Sequence, residues 1–557
     1  MRRFSKYVLI LPAAAAAVAM FCFAARNDFG LGRNMEILLN MMRELTVHYV
    51  DEIDPDELAK GAAEGMMRSL DPYTEYLPES EMTQFELMTT GKYGGVGSII
   101  RKRGDYVVIS QPYKGSPSDR AGLQIGDKIV AIDGEDAKGF STEDVSKRLK
   151  GDPGTTVMVT VEKLVGGEIQ TVALRRERIV IPSIPYAGFL DNGIAYIRHD
   201  DFTEDSYREM RAAIERLQRE QSLRGIVLDY RNNGGGIMEE AVKILSLFVP
   251  KGTEVLNTRG RVADVSRTHR TDHNPIVPDT VPVAVLINGN TASSSEIVAG
   301  ALQDLDRAVI VGQRSFGKGL VQSTRPVGYN GYVKLTTAKY YTPSGRCVQA
   351  IDYSGHASDG SAQTIPDSLT HSFRTAHGRT VRDGGGITPD VKTEAEYMGR
   401  FAMTLYAAGH IDDFGDEYFR RHADDNIDNR TFSITDADYD DFRRFMADRD
   451  VPYESDTRRT LNTLRKAVES DLFDDDLKPI IESIETNIHD DKETNLTTYR
   501  DDIVRMINSD IVMRHSYAAG AAEHNLMHDG EVARAVSLLT DRAEYDRLLS
   551  PADGTEN

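Results

Sequence analysis

The chain has 557 residues, with 87 Asp and Glu against 66 Lys and Arg, a formal net charge of −21. That length implies several domains. An acidic balance of this size excludes nucleic acid as a partner, because phosphate binding needs basic patches, and two cysteines in unrelated contexts, Cys22 and Cys347, imply no disulfide framework.

Arg2, Arg3 and Lys6 precede an uncharged, Ala- and Val-rich stretch from Tyr7 to Ala25. Residues 1–26 therefore read as a signal peptide or a membrane anchor; a helix of that stretch reaches roughly 28 Å at about 1.5 Å per residue, close to the hydrocarbon thickness of a bilayer. The basic end stays inside and the rest is exported. The expected location is extracytoplasmic, in a periplasm, with N-terminal contact with the inner membrane. No clean small-x-small cleavage site follows, since Cys22-Phe23-Ala24 and Phe23-Ala24-Ala25 are both imperfect.

Residues 27–90 have helical patterning. Met35, Leu38, Met41 or Met42, Leu45 and Tyr49 mark one stripe, and a second helix is predicted from Asp54 as N-cap and Pro55 at its first position, carrying Leu58, Ala62, Met66 and Leu70. Two such helices cannot bury both apolar faces alone, so they must pack on another domain or on a second copy of the chain.

Residues 91–178 change character. Tyr93-Gly94-Gly95-Val96-Gly97-Ser98 leads into short β-branched runs at 99–100, 106–109 and 128–132, a helix near 141–149, and further strands at 157–164 and 170–174. This arrangement resembles a PDZ domain of the circularly permuted bacterial kind. Gly95, Val96, Gly97 and Ser98 are the candidate peptide-binding residues: successive backbone N–H groups suit a terminal carboxylate, and the following strand suits an extended peptide added at its edge.

From 179 to 397 the order is strand, helix, strand ending in Gly234-Gly235-Gly236, helix, strand Val283–Ile287, the turn Thr291-Ala292-Ser293-Ser294-Ser295-Glu296, helix, and Ser315-Phe316-Gly317-Lys318-Gly319-Leu320-Val321-Gln322. Such alternation is that of a layered α/β core. Serines at a strand-to-helix turn meet the N–H groups and positive dipole end of the helix, where a developing oxyanion is stabilised. A serine hydroxyl needs a base to take its proton. His269 and His273 fall in a polar segment that reads as a loop, and His199 beside Asp200 and Asp201 reads as solvated. Lys318, flanked by Gly317 and Gly319 in an apolar setting, is the better base once burial lowers its pKa. If the chain is extended from Lys318 onward, Lys318, Leu320 and Gln322 share a face and Gln322 aims the amine. A phosphate loop is excluded, because Gly319 stands where Gly312-x-x-x-x-Gly317-Lys318 would need Ser or Thr. The chemistry requires no metal and no other cofactor. These residues alone leave open which of the three serines is the nucleophile.

The ordered set Leu228-Asp229-Tyr230-Arg231-Asn232-Asn233-Gly234-Gly235-Gly236, TASSSE, FGKGLVQ and Tyr340-Tyr341-Thr342-Pro343-Ser344-Gly345-Arg346 resembles the C-terminal processing peptidases, or tail-specific proteases. The resemblance implies a nucleophile 25 residues before the lysine, hence Ser293. It further implies Gln322 as the assisting glutamine, and oxyanion donors at the Ser294 N–H and at Gly235 or Gly236. Position 294 commonly holds alanine in that family, so Ser294 is a departure. The family's core is similar to the crotonase and Clp-protease α/β class, and its N-terminal region often serves dimerisation.

Residues 398–557 lie outside the resemblance and are patterned as acidic helices, with Phe442, Phe445 and Met446 and then Leu461, Leu464 and Val468 at helical spacing. Solvated acidic faces explain most of that charge; a docking platform for an adaptor or a second protomer is the sharper reading. The expected fold is multidomain α/β: a protease core with an inserted, mainly-β PDZ domain and helical N- and C-terminal regions. The expected function is an exported serine endopeptidase acting on proteins or peptides with free C-termini, homodimeric through its helical terminal regions. The rival is a non-catalytic PDZ adaptor that binds protein tails.

Overall fold

The computed structural model describes residues 30–68, 70–356, 362–471, 474–488 and 490–551; the segment read as a signal or anchor, and Cys22 with it, lies outside the described residues. Within them no helix is long and apolar enough to cross a membrane. The chain divides into two compact units, one of residues 1–82, 321–337 and 353–360, the other of 83–320, 338–352 and 361–557.

In the first unit a helix covers 30–48 and a second runs Pro55–Met67, capped by Asp54, whose side chain accepts the Asp56 N–H. The predicted stripe Met35, Leu38, Met41, Leu45 and Tyr49 is exposed. This region is not wholly helical: Glu75–Leu77 is a strand, paired antiparallel with Tyr332–Lys334. Leu77 is buried in that strand.

The second unit carries three bodies of structure. The PDZ sheet has Ser98–Arg103 at its edge, then Tyr106–Pro112, Lys128–Ile132, Thr156–Glu162 and Ile169–Arg175, all antiparallel. Val107, Ile109, Val157, Val159 and Val161 alternate inward onto the helix Thr142–Leu149, so the period of two read from the sequence is the period of burial. The domain leaves and rejoins the core through the strand pair Lys92–Gly95 and Glu177–Val180.

The core sheet orders its strands Tyr186–Phe189, Ile194–Arg198, Gly225–Asp229, Val283–Ile287, Val309–Gly312 and Val391–Lys392, antiparallel at the first pair and parallel thereafter. Parallel strands are buried on both faces. Ala195, Ile197, Leu228, Val285 and Ile310 lie under the layer formed by the helices Ser206–Glu220, Met238–Leu245 and Ser294–Asp304. Tyr196, Val227, Leu286 and Val311 point the other way, and what covers them comes from the far end of the chain: Val532, Leu538, Leu539 and Tyr545 on the helices Gly530–Thr540 and Arg542–Leu548. The last two helices thus belong by packing to the core rather than to the helical region that precedes them. That region, from Arg400 to Leu526, has its own apolar centre around Phe401, Phe414, Phe442, Met446 and Ile507.

Candidate active site

The strand Val283–Ile287 is buried at every residue and ends at the turn Asn288–Ala292. Thr291 donates its hydroxyl to Tyr230 O at 2.9 Å and Ala292 donates its N–H to Asn233 O at 3.0 Å, which ties this turn to the glycine loop. Ser293 then takes φ 56° and ψ −118° before the helix Ser294–Asp304 begins. A non-glycine residue in such a conformation costs about 1–3 kcal/mol and persists only where its surroundings fix it.

The structure separates the three serines. Ser294 and Ser295 are buried, and their hydroxyls donate to Gly236 O at 2.9 Å and Asn233 O at 3.0 Å. Ser293 alone is partly exposed. Gly235 lies hard against it: a Cβ at 235 would stand 2.6 Å from Ser293 Cβ and 2.9 Å from the Ser294 nitrogen, on a backbone whose φ is +99°. Of the two glycine donors proposed from the sequence, the Gly235 N–H is engaged by Asn233 Oδ1 at 2.8 Å. Phe202 brackets the next peptide, donating its N–H to Gly235 O and accepting from Ile237, and the Gly236 N–H makes no hydrogen bond among the described residues.

The lysine loop is held by three consecutive backbone bonds. Gly317 and Lys318 donate to the two carboxylate oxygens of Glu296 at 2.7 and 2.8 Å, and Gly319 donates to Gln349 Oε1 at 2.7 Å. Glu296 also accepts the Ser293 N–H at 2.9 Å, through the same oxygen that takes Lys318, and the Ser315 hydroxyl at 2.5 Å. The nitrogens of Ser293 and Lys318 are therefore no farther apart than the sum of two hydrogen bonds. Glu296 is fully buried; burial pushes its carboxyl above the usual glutamate range, and the hydrogen bonds from Ser315, Lys318, Gly317 and Ser293 oppose that shift. Lys318 itself is half-buried. Its flanking glycines are required by contact: a Cβ at 317 would meet Ala350 Cβ at 2.4 Å, and one at 319 would meet Gln349 N at 2.8 Å.

Two charged groups brace the periphery. Arg346 of the YYTPSGR segment is buried on Asp304 at 2.8 Å, at the C-terminal end of the serine helix, where a cation suits the dipole. Arg231 joins Asp229 to Asp529 and Glu531 at 2.6 to 2.7 Å, anchoring the start of the helix Gly530–Thr540.

Other expected placements differ. The strand begins only at Leu320, so the extended alternation assumed from Lys318 to Gln322 covers Leu320 to Gln322 alone. Gln322 belongs to the first unit, where its amide nitrogen donates to Thr336 Oγ1 at 3.1 Å. His199 is not solvated. It closes a strand covered on both faces, lies with its ring 4.3 Å from that of Phe202, and burial depresses its pKa to about 3. His269 stands on a short strand, Arg267–Arg270, rather than in a loop. In the PDZ domain Val96 O accepts from Ser118 and Gly97 O from Tyr113, so the loop 95–98 turns its carbonyls inward; the Ser98 hydroxyl is buried with no partner among the described residues.

Peptidase family S41 matches residues 193–359, a PDZ domain matches 108–163, and the C-terminal helical domain of probable PDZ-proteases matches 401–539. A carboxy-terminal-processing protease of Bartonella bacilliformis is 35% identical over 316 residues, 56% of this chain and 72% of its own. A probable CtpA-like serine protease of Staphylococcus aureus strain COL is 33% identical over 345 residues, 61% of this chain and 68% of its own. The solved structure of a photosystem II D1 C-terminal processing protease is 27% identical, with 64% of this chain and 87% of that one covered at a TM-score of 0.33. The chain belongs to the carboxy-terminal-processing proteases of peptidase family S41.

This processing protease is a serine-type peptidase, which removes the non-catalytic adaptor as a reading of the chain. Sequence reasoning missed Glu296 as the joint between the serine and lysine segments, although Ser293-x-x-Glu296 has the form of a capping box. It also missed Asn233 as the holder of Gly235. The turn at 383–387 backs the lysine loop of the protease: Gly386 donates to Val348 O, and Ile387 exchanges hydrogen bonds with Ser315.

Proposed function

We propose that this processing protease is exported and cleaves protein substrates near their C-termini, with Ser293 as nucleophile and Lys318 as general base. Lys318 in its neutral form takes the hydroxyl proton as Ser293 Oγ attacks the scissile carbonyl carbon. The oxyanion is held by the Ser294 N–H and the Gly236 N–H, and the protonated amine then delivers its proton to the leaving nitrogen. Gln322 is retained as an assisting residue, with a role secondary to Lys318. The loop 95–98 of the PDZ domain receives the substrate's terminal carboxylate. Residues 1–26 direct export or tether the enzyme to the inner membrane, and the exposed stripe on helix 30–48 suits a second copy of the chain.

The observation that carries this reading is the double use of one Glu296 oxygen by the Ser293 and Lys318 backbones. Such a joint gives the two side chains one common reference point, as a proton transfer between them demands. The test is a peptide with a free apolar C-terminus incubated with the protease and its variants. Ser293→Ala and Lys318→Ala are expected to be inactive. Lys318→Arg is expected to be as inactive as Lys318→Ala, because guanidinium does not give up its proton in a protein. An active arginine variant refutes the base assignment, and activity in Ser293→Ala moves the nucleophile elsewhere.

A further inference from the structure

The acidic residues of the C-terminal helical region are not all solvated. On the PDZ edge strand Ser98–Arg103, Ile100 faces the PDZ core while Arg101 and Arg103 face outward onto the helix His410–His422. Arg101 pairs with Asp412, and Arg103 pairs with both Asp413 and Asp416. Asp416 is buried and also binds Arg514 at 2.5 Å; Arg514, buried in turn, holds Asp510 at 2.7 Å. Alternating charges packed this way have no use for bulk counter-ions, and their partners are fixed by geometry.

A second contact reaches the tail-binding loop from behind. The helix Arg500–Leu526 breaks at Tyr517, whose φ of 59° and ψ of −172° are not helical. Its hydroxyl donates to Asp119 Oδ1 at 2.6 Å, and the Lys114 ammonium lies 5.7 Å from its ring centre. Asp119 sits in the short helix Pro117–Arg120. Two serines at the head of that helix hold the loop 95–98: Ser116 Oγ donates to Gly97 O at 2.9 Å and Ser118 Oγ to Val96 O at 2.8 Å. Gly97 has no room for a side chain, because a Cβ there would stand 2.4 Å from Ser116 Cβ. Strain at a non-glycine residue survives only where neighbours hold it, and at Tyr517 those neighbours, Asp119 and Lys114, flank the serines Ser116 and Ser118 that hold the loop.

We propose that the C-terminal helical domain is a brace for the PDZ domain: its docking through Arg101, Arg103 and Tyr517 holds residues 113–119 behind the loop 95–98 and raises that loop's affinity for a peptide carboxylate. The inference rests on reading 95–98 as the carboxylate site. The physical cause is ordering. A loop already fixed by the brace loses less freedom when a tail binds, so the two events favour each other.

The test uses the full chain carrying Ser293→Ala, so that a fluorescent peptide with an apolar C-terminus is bound but not cut, with its C-terminally amidated form as control. Anisotropy titrations compare this parent with R101E, with R101E/D412R and with Y517F, each checked by thermal melting. Binding is expected to weaken by about fivefold or more in R101E and to recover in R101E/D412R. Y517F, which removes one oxygen and leaves every ion pair, is expected to weaken binding in the same direction. Unchanged affinity in R101E and Y517F overturns the brace. If the parent itself ignores the peptide, or binds the amidated form equally well, it is the carboxylate reading of 95–98 that has failed, and the brace falls with it.

Discussion

Glu296 receives the backbone N–H of Ser293 at 2.9 Å from three residues farther along the chain, and does so with the oxygen that also receives Lys318. Replacing Glu296 by Gln turns one of the two oxygens into an N–H donor facing donors it once accepted. The serine and lysine segments must then separate by a fraction of an ångström. A misplacement on that scale costs on the order of a hundredfold in turnover, so E296Q is expected to lose about that much in kcat, with KM little changed. Steady-state kinetics on the free-tailed peptide checks it.

The same carboxylate sets opposite trends in activity and stability with pH. Only the ionised form accepts all four bonds, so activity is expected to fall as pH drops through a value above the usual glutamate range of about 4.3. Stability runs the other way. Because burial raises the folded-state pKa over that of the unfolded chain, the contribution of this group is fully present below the unfolded value and is lost as pH rises through the raised one. Urea midpoints and rates measured across the same pH series, on wild type and E296Q, check both; E296Q is expected to flatten both curves.

Ser294 holds Gly236 O through its hydroxyl. A neutral hydrogen bond of this kind contributes about 1 kcal/mol. S294A is therefore expected to retain activity within about tenfold of wild type, unlike S293A. Comparing kcat/KM for the two variants separates a hydroxyl that reacts from one that positions.

Arg231 bridges Asp229 and the residues Asp529 and Glu531 in a largely buried cluster. Removing one partner from such a cluster leaves unpaired charge and costs about 3–5 kcal/mol. R231M is expected to lower the urea midpoint accordingly. L538A, which opens a cavity on the second face of the sheet, is expected to cost about 2–5 kcal/mol, and the two losses are expected to fall in one cooperative transition.

The sequence was most legible where local chemistry decides structure. Gly317 and Gly319 pointed to close packing of the chain around Lys318, and both meet neighbours inside 3 Å where a Cβ would be. The PDZ strands were readable because alternate residues are buried. His199 was misread because two acidic neighbours in sequence outweighed a fact of topology, that its strand is covered on both faces. The assumed alternation from Lys318 fell short because the strand starts only at Leu320, two residues later. The helix Gly530–Thr540 could not be assigned to the core from its neighbours, since its partner strands lie some three hundred residues away in sequence, as the Arg231 pairings with Asp529 and Glu531 do.

The covering of one sheet face by Val532, Leu538, Leu539 and Tyr545 means that the catalytic domain is finished only once the two helices Gly530–Thr540 and Arg542–Leu548 have docked. A growing polypeptide that already contains both the serine and the lysine still exposes half of the sheet on which they depend. A nascent chain released before residue 530 lacks the cover of that face and is no stable peptidase.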